Sequence, residues 1–143
     1  ERKIHRTYLA IVSGKLTESG TIDLPIGRKS ESVIERCVDK THGERAVTHY
    51  EVLEARADQT LVKCQLETGR THQIRVHMQA IGHPLVGDFL YNPHALREER
   101  PLLHSWRLAF THPVSGDEVY FTAPVPADMQ GWKWFQPDKM KVT

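Results

Sequence analysis

The strongest constraint on the fold is a pair of short segments joined by a tight turn. Residues 46–54 alternate between apolar and polar side chains, and residues 61–66 place three apolar side chains on one face. A period of two is typical of strands with one buried face. Residues 56–59, Arg-Ala-Asp-Gln, supply the turn between them. The pattern predicts an antiparallel hairpin, so the chain must build a sheet.

Other segments extend this sheet. The short apolar run at residues 7–12 predicts a buried strand, and residues 22–26, with a central proline, predict an edge strand. A second hairpin is predicted between residues 103–111 and 119–123, joined by the turn HPVSGD. We therefore expect an α+β fold with a mixed or mainly antiparallel sheet and a few packed helices.

Two regions follow neither pattern. Residues 27–44 are charged and irregular, which predicts a mobile loop, and residues 126–135 predict a short helix that packs aromatic side chains. The chain has 143 residues, of which 39% are hydrophobic and 26% are charged. This length and composition suit one domain with a real core. We expect a single domain over residues 1–143.

Composition excludes several classes of protein. The net charge of +1 gives no general argument for nucleic acid binding. Cys37 and Cys64 match no metal or redox spacing, so a reduced interior is expected. The sequence has no apolar run near the roughly 18 residues of a membrane span. We expect no membrane association and a cytoplasmic setting, with an organelle left open.

One helix is predicted between the hairpins, in the stretch ETGRTHQIRVHM at residues 67–78. Thr71 is the expected N-cap, and Gly82 followed by Pro84 is the expected stop. Successive residues turn by about 100° around a helix, which separates two faces. The expected core face carries Ile74, Met78 and Ile81. The expected polar face carries His72, Arg75 and Gln79.

The start of this helix is polar and basic. Its first backbone N–H groups and the helix dipole favour anions. Arg70 and Arg75 can each bind a phosphate or carboxylate through two parallel hydrogen bonds. An anion site and a merely solvated polar face are both compatible with this pattern.

Nine histidines raise the hypothesis of a metal site, which their spacing disfavours. His72 and His77 lie about 140° apart on a helix, unlike the i, i+4 pair of zinc-binding helices. The remaining histidines are scattered, and no Cys pair accompanies them. No serine lies in a nucleophile-elbow motif. We expect no metal.

Three segments, in order, resemble one family. LETGRTHQIRVHMQAIGHPLVGDFLY (residues 66–91) is similar to the signature of RluA-type pseudouridine synthases, T-G-R-x-H-Q-I-R-V-H and then G-H-P-I-x-G-D-x-x-Y. RTYLAIVSG (residues 6–14) resembles the family's K-x-Y-x-A-x-V-x-G strand. Residues 101–129 resemble its closing L-L-H-A-x-x-L-x-F-x-H-P and A-P-x-P segments. The departures are Arg6 in place of Lys and Asn92 in place of Gly.

The resemblance implies an enzyme that isomerises uridine to pseudouridine in ribosomal or transfer RNA, without cofactor or metal. It implies that Tyr8 stacks on the flipped-out uracil and helps to remove the C5 proton, and that Arg75 pairs with the catalytic aspartate. Leu102 or Leu103 is expected to form an apolar wall. The residues expected to contact RNA or support the pocket are Arg70, Thr71, His72 and Gln73.

The family's nucleophile lies in a motif like H-R-L-D-x-x-T-S-G-L, upstream of the tyrosine strand. None of the seven aspartates here has that context, and Asp88 belongs to the different element GHPLVGD. We expect the chain to be the C-terminal portion of a catalytic domain, inactive alone, partnered by the upstream half and monomeric when complete. Arg75 would then be strained or solvated, and the strand of Tyr8 would form an exposed edge.

Two other functions are compatible with the residues. One is a catalytically dead module that keeps the synthase-like fold and binds RNA. The other is a small phosphate-binding or metal-dependent hydrolase built on the arginines and histidines of the predicted helix.

Overall fold

A six-stranded sheet organises the computed structural model, which describes residues 4–30, 32, 34–97 and 99–135. Its strand order is β2-β5-β6-β1-β7-β8, and β3 and β4 form a separate two-stranded sheet. All of the paired strands described are antiparallel. The strands are β1 (Ile4–Ser13), β2 (Gly20–Asp23), β3 (Ile26–Arg28), β4 (Arg36–Val38), β5 (Val47–Ala55), β6 (Gln59–Leu66), β7 (Leu103–Thr111) and β8 (Glu118–Thr122). The predicted α+β class, with a mainly antiparallel sheet, is confirmed.

Residues 9–12 of strand β1 are apolar, and both faces of the strand are buried there. Ala10 and Val12 pack on one face with α1 (Gln73–Ala80), whereas Leu9 and Ile11 pack on the other face with Trp106. Burying one such aliphatic side chain contributes about 1.5–3 kcal/mol. Strand β1 lies between β6 and β7, so the expectation that the strand of Tyr8 forms an exposed edge is wrong.

Both predicted hairpins are present. Strands β5 and β6 pair on either side of the predicted turn, and β7 pairs with β8 through HPVSGD, where Gly116 has φ 78°. An edge strand is present as predicted, but β2 ends at Asp23, so the predicted bounds of 22–26 are wrong and Pro25 lies between β2 and β3. The tail forms two 3₁₀ turns, Ala127–Met129 and Lys133–Phe135, and not one helix. Its buried side chains cover the face of the sheet opposite α1.

The prediction of a mobile loop at residues 27–44 is wrong, because β3 and β4 form a hairpin there. Ile26 and Val38 pack in a small core that includes Val76 of α1, and Arg28 and Arg36 follow them on the same face of the hairpin. The Asp39 carboxylate accepts the N–H groups of Thr41 and His42, which closes the turn after β4 and lowers the pKa of Asp39. The sequence pattern did not predict this hairpin, because its strands are short and carry many charged residues.

Helix α1 begins later than predicted. His72 occupies the N-cap position with φ 57° and makes no side-chain cap hydrogen bond, so the prediction that Thr71 is the N-cap is wrong. The physical reason is Gln73, whose side-chain oxygen accepts the N–H of Arg70 and closes this turn from inside the helix. The helix ends before Gly82, whose φ of 87° suits the predicted stop.

No helix among the described residues is long and apolar enough to cross a membrane.

Candidate active site

A cleft of about 250 Å³ lies where β1, the start of α1 and β7 meet. It brings together six of the eight predicted site residues. Its lining is Tyr8, Leu66, Arg70, His72, Gln73, Ile74, Arg75 and Leu103. Residues up to 95 positions apart in the chain therefore converge on one cleft, as the predicted sheet and helix require.

The other two predicted residues lie elsewhere. Thr71 lines a neighbouring cleft, which it shares with Arg70. Leu102 packs with the core on the opposite face of the sheet, and its N–H donates to the carbonyl of Val86. Of the two leucines, Leu103 alone lines the cleft. Leu103 is therefore the candidate for the expected apolar wall, and Leu102 is not.

Tyr8 reaches the cleft from the middle of β1. Its side chain is half-buried and packs on the same core as Ile74. Beside it the register of β7 shifts: Thr7 faces Arg107 and Tyr8 faces Ser105, so Trp106 is the extra residue of a bulge. Bulges recur next to functional sites because they re-aim neighbouring side chains.

Arg75 is held by a carboxylate of this same chain. Its Nε donates to Oδ2 of Asp88 at 2.8 Å, and its Nη2 donates to Oδ1 at 2.7 Å. The Arg75 side chain is 15% exposed and the Asp88 side chain is 0% exposed. Two parallel charge-assisted hydrogen bonds fix the plane of the guanidinium. The expectation that Arg75 would be strained or solvated for want of a partner is therefore wrong.

The partner of Arg75 is itself fixed. Oδ1 of Asp88 also accepts the N–H of Leu90 at 3.2 Å, and the Asp88 N–H and carbonyl bond to Leu85 and Asn92. Arg75 further lies over the ring of Tyr91, with its Cζ 5.1 Å from the ring centroid. An arginine carries five N–H donors, so the pair with Asp88 leaves Nη1 outside it while Arg75 lines the cleft.

His72 is hydrogen-bonded to Tyr91. The Tyr91 hydroxyl accepts the N–H of Arg36 at 2.8 Å and lies 2.7 Å from Nδ1 of His72. Burial, followed by the positive charges of Arg75 and Arg36, lowers the pKa of His72. Burial also raises the pKa of Tyr91.

Gln73 supports the cleft from inside the fold. It is 2% exposed, and its side-chain amide donates to the carbonyl of Val47 and to the hydroxyl of Thr48, each at 2.9 Å. Its oxygen accepts from the Thr68 hydroxyl and the Arg70 N–H. Of the two roles expected for Gln73, support of the pocket fits these contacts.

His77 is a core residue. It is 0% exposed, its Nε2 lies 2.9 Å from the carbonyl of Leu24, and its Nδ1 lies 2.8 Å from the Thr48 hydroxyl. A carbonyl only accepts, so Nε2 carries the proton and Nδ1 accepts from Thr48. Burial lowers the pKa of His77. This histidine fixes α1 on β5 and does not line the cleft.

Two residues that matter here escaped the sequence reasoning, namely Asp88 and Tyr91. Both lie in the GDFLY segment that follows α1, and the motif marked them without revealing that they fold back onto Arg75. The sequence offered one signal for this contact. Arg75 and Asp88 carry opposite charges, lie 13 positions apart and are separated by the predicted helix stop. Within the described residues, no group of three or more His, Cys, Asp or Glu is placed to hold a metal ion.

Comparison with known proteins identifies relatives along this chain. A family model described as RNA pseudouridylate synthase matches residues 1–80. The RNA pseudouridine synthase YjbO of Bacillus subtilis is 50% identical over 127 residues, which cover 88% of this chain and 44% of YjbO. Ribosomal large subunit pseudouridine synthase D of Nitrosomonas europaea is 45% identical over 138 residues, which cover 90% and 40% of the two chains.

A solved structure agrees with these sequences. Human RNA Pseudouridylate Synthase Domain Containing 1 superposes with a TM-score of 0.70 at 32% identity, covering 95% of this chain and 57% of the human one. The chain spans less than half the length of YjbO and of the Nitrosomonas synthase. With more than half of its residues matched by the family model, this chain is a member of the RNA pseudouridylate synthase family, of the RluA type.

Proposed function

We propose that this chain is the C-terminal portion of a pseudouridine synthase catalytic domain, and that the complete domain isomerises uridine to pseudouridine in ribosomal or transfer RNA. The observation that carries the proposal is one cleft that holds Tyr8 beside Arg75, with Arg75 already oriented by Asp88. The expected setting is the cytoplasm, and the expected partners are RNA and the upstream half of the same domain.

The cleft suits a nucleotide that has left its stack. An enzyme that acts on a base must first extrude it from the RNA. Tyr8 offers an aromatic ring on a rigid central strand, and stacking on such a ring contributes about 1–3 kcal/mol per base. Leu103 lies on the neighbouring strand β7, opposite Ala10, and gives the cleft an apolar wall. In this proposal the Tyr8 hydroxyl also helps to remove the C5 proton.

Arg75 would act on the catalytic aspartate supplied by the upstream half. That carboxylate must be ionised whether it attacks C1′ or helps to form a glycal. A nearby guanidinium favours the ionised form and lowers the carboxylate pKa. Asp88 holds one edge of Arg75, so the Nη1 side would be presented in a fixed geometry. Asp88 is therefore proposed as a positioning residue and not as the nucleophile.

The test is tritium release from C5-labelled uridine RNA. The full-length protein should release tritium, the 143-residue chain alone should not, and Arg75→Ala in the full-length protein should abolish turnover. Arg97→Ala, at an exposed arginine outside the cleft, is the matched control and should keep turnover. Release by the chain alone would refute its status as a partial site, and near-normal turnover of Arg75→Ala would refute the role of Arg75.

The same assay distinguishes the proposed enzyme from the alternative, a catalytically dead RNA-binding module. A full-length protein that binds RNA tightly but forms no pseudouridine would favour that alternative over the enzyme.

A further inference from the structure

One corner of the six-stranded sheet carries apolar side chains that lie outside the core. It comprises the start of β1, the second half of β7 and the edge strand β8. Residues 7–12 of β1 are largely buried, whereas residues 4–6 are exposed. Four of the five residues of β8 are also exposed. The three hydrophobic clusters among the described residues include no side chain of this corner.

The strand register collects the apolar side chains of the corner on one face. Ile4 pairs with Phe110 across β1 and β7, and Phe110 pairs with Val119 across β7 and β8. Leu108 lies two positions before Phe110, on the same face, and pairs with Phe121. The rings of Phe110 and Phe121 are stacked, with centroids 6.1 Å apart. We call these side chains the apolar strip: Ile4, Leu108, Phe110, Val119 and Phe121.

The opposite face of the same corner is polar. The residues of β7 and β8 that point there include Arg107, Thr111, Glu118, Tyr120 and Thr122. Antiparallel sheets alternate in this way when one face is covered by protein and the other is solvated.

The exposure of the apolar strip contrasts with this pattern. Ile4 is 53% exposed and Phe121 is 57% exposed. Contiguous apolar side chains left open to water mark interaction surfaces. The alternation therefore indicates that a further piece of protein covers the strip.

The apolar strip leads directly to the candidate active site. Tyr8 lies four positions after Ile4, so both side chains leave the same face of β1. Leu66 lines the cleft of Tyr8 and also a neighbouring cleft that contains Ile4 and Arg6. A body of protein that covers the strip therefore lies beside the cleft that holds Arg75.

We propose that the apolar strip is the docking surface of the upstream half of the catalytic domain, and that docking there brings the upstream carboxylate to Arg75. The identity of this partner rests on the proposed function. Its size is consistent with the relatives, because the matched region covers only 44% of YjbO and 40% of the Nitrosomonas synthase. RNA fits the strip poorly, since its affinity for proteins comes mainly from phosphate contacts to basic side chains.

The first test compares two neighbouring positions of β8 in the full-length protein. Phe121→Asp places a charge in the strip, whereas Tyr120→Asp places one on the polar face, at a ring that is 69% exposed. The backbone preference of aspartate acts on both variants. Burying an unpaired charge is strongly unfavourable, so Phe121→Asp should lower the Tm by about 5 °C more than Tyr120→Asp. Equal losses of Tm would overturn the proposal.

A second test measures the cover directly and does not depend on a charged variant that folds. Phe121→Cys and Tyr120→Cys are each made with Cys37→Ser, because Cys64 is 0% exposed and Cys37 is only half-buried. Native full-length protein without RNA is then labelled with a maleimide. Protection by packed protein should make Phe121→Cys react at least about tenfold more slowly than Tyr120→Cys. Equal labelling rates would overturn the docking surface.

A third test identifies the occupant. In the full-length protein, Phe121→p-benzoylphenylalanine forms a covalent cross-link to its neighbour on irradiation, and mass spectrometry locates the cross-linked residue. We expect an intramolecular cross-link to residues that precede this chain. A cross-link between two copies of the protein, or one that reaches only residues 1–143, would overturn the assigned occupant.

The outcomes separate this inference from the proposed function. If Phe121 is protected and cross-links to the upstream half while the full-length protein forms no pseudouridine, the docking surface stands and the proposed enzyme fails. If the protein forms pseudouridine while Phe121→Cys labels as fast as Tyr120→Cys, the enzyme stands and the docking surface fails.

Discussion

The two clefts that meet at Arg70 hold their arginines in opposite ways. In the first cleft, Arg75 is largely buried and bonded at one edge to the buried carboxylate of Asp88. In the second, Arg28 and Arg36 face each other across a short hairpin. A guanidinium held at one edge by a buried carboxylate keeps one geometry, whereas two arginines directly opposite each other repel. The fixed geometry of Arg75 supports the proposal that the first cleft orients a reacting group.

The largest expected effect comes from breaking the buried pair. Asp88→Asn leaves the charge of Arg75 without its partner, and removing one member of a buried ion pair costs about 3–5 kcal/mol. Urea denaturation of the full-length protein measures the loss of unfolding free energy. Asp128→Asn is the matched control, because Arg100 and Asp128 make the same two-bond contact with side chains that are 46% and 50% exposed.

The control should lose much less stability, since exposed pairs contribute only about 0.2–1 kcal/mol. Similar losses at Asp88 and Asp128 would contradict the contrast between a buried, orienting pair and a surface pair.

A smaller effect is expected from cutting the contact that joins the two clefts. Tyr91→Phe removes the hydroxyl that bonds both His72 and the backbone of Arg36. Leaving a buried polar group without a partner costs about 1–3 kcal/mol. Tyr120→Phe removes a hydroxyl from a ring that is 69% exposed and should change stability by at most about 0.5 kcal/mol. Thermal unfolding measures the Tm of both variants. Equal Tm values for Tyr91→Phe and Tyr120→Phe would refute the stabilising role of the Tyr91 hydroxyl between the two clefts.

The smallest expected effect is a dependence of stability on pH. Burial lowers the pKa values of His72 and His77 below the ordinary 6.5, so the unfolded chain binds protons more readily than the folded one. The stabilisation from keeping both rings neutral is complete above about pH 6.5 and declines as the pH falls through the folded values. Urea unfolding at pH 7 and pH 5 should show this decline.

A variant assigns part of that decline to the first cleft. His72→Asn removes one titrating ring at a position with φ 57°, a backbone conformation that asparagine tolerates. Its loss of stability from pH 7 to pH 5 should be smaller than that of the parent. An unchanged pH dependence would show that His72 does not contribute.

Local periodicity predicted the elements that pack through one face. The β5–β6 and β7–β8 hairpins, and the core side chains Ile74 and Met78, follow from alternation and from helical spacing. Such patterns depend only on which side of an element is buried. The β3–β4 hairpin escaped this reasoning because each strand has only three residues, and Arg28 and Arg36 lie on the same face as the apolar Ile26 and Val38.

The contacts that define the site depend on tertiary structure, so the sequence pattern could not predict them. The resemblance to the family placed Tyr8 and Arg75 in one site, and both line the same cleft. The start of α1 was misplaced because residues 70–73 form a tight turn, in which the Gln73 N–H donates to the Arg70 carbonyl and the Gln73 side chain accepts the Arg70 N–H. Asp88 was assigned to a separate loop because nothing local in the sequence shows that this loop folds back onto Arg75.

The central claim, that Asp88 holds Arg75 in place to orient a carboxylate from the upstream half, is tested most directly by a crystal structure of the full-length protein. We expect Arg75 to keep both hydrogen bonds to Asp88 while its Nη1 donates, at about 2.7–2.9 Å, to a carboxylate from residues outside this chain and beside Tyr8. A structure in which Arg75 leaves Asp88, or in which no such carboxylate reaches Nη1, would contradict the claim.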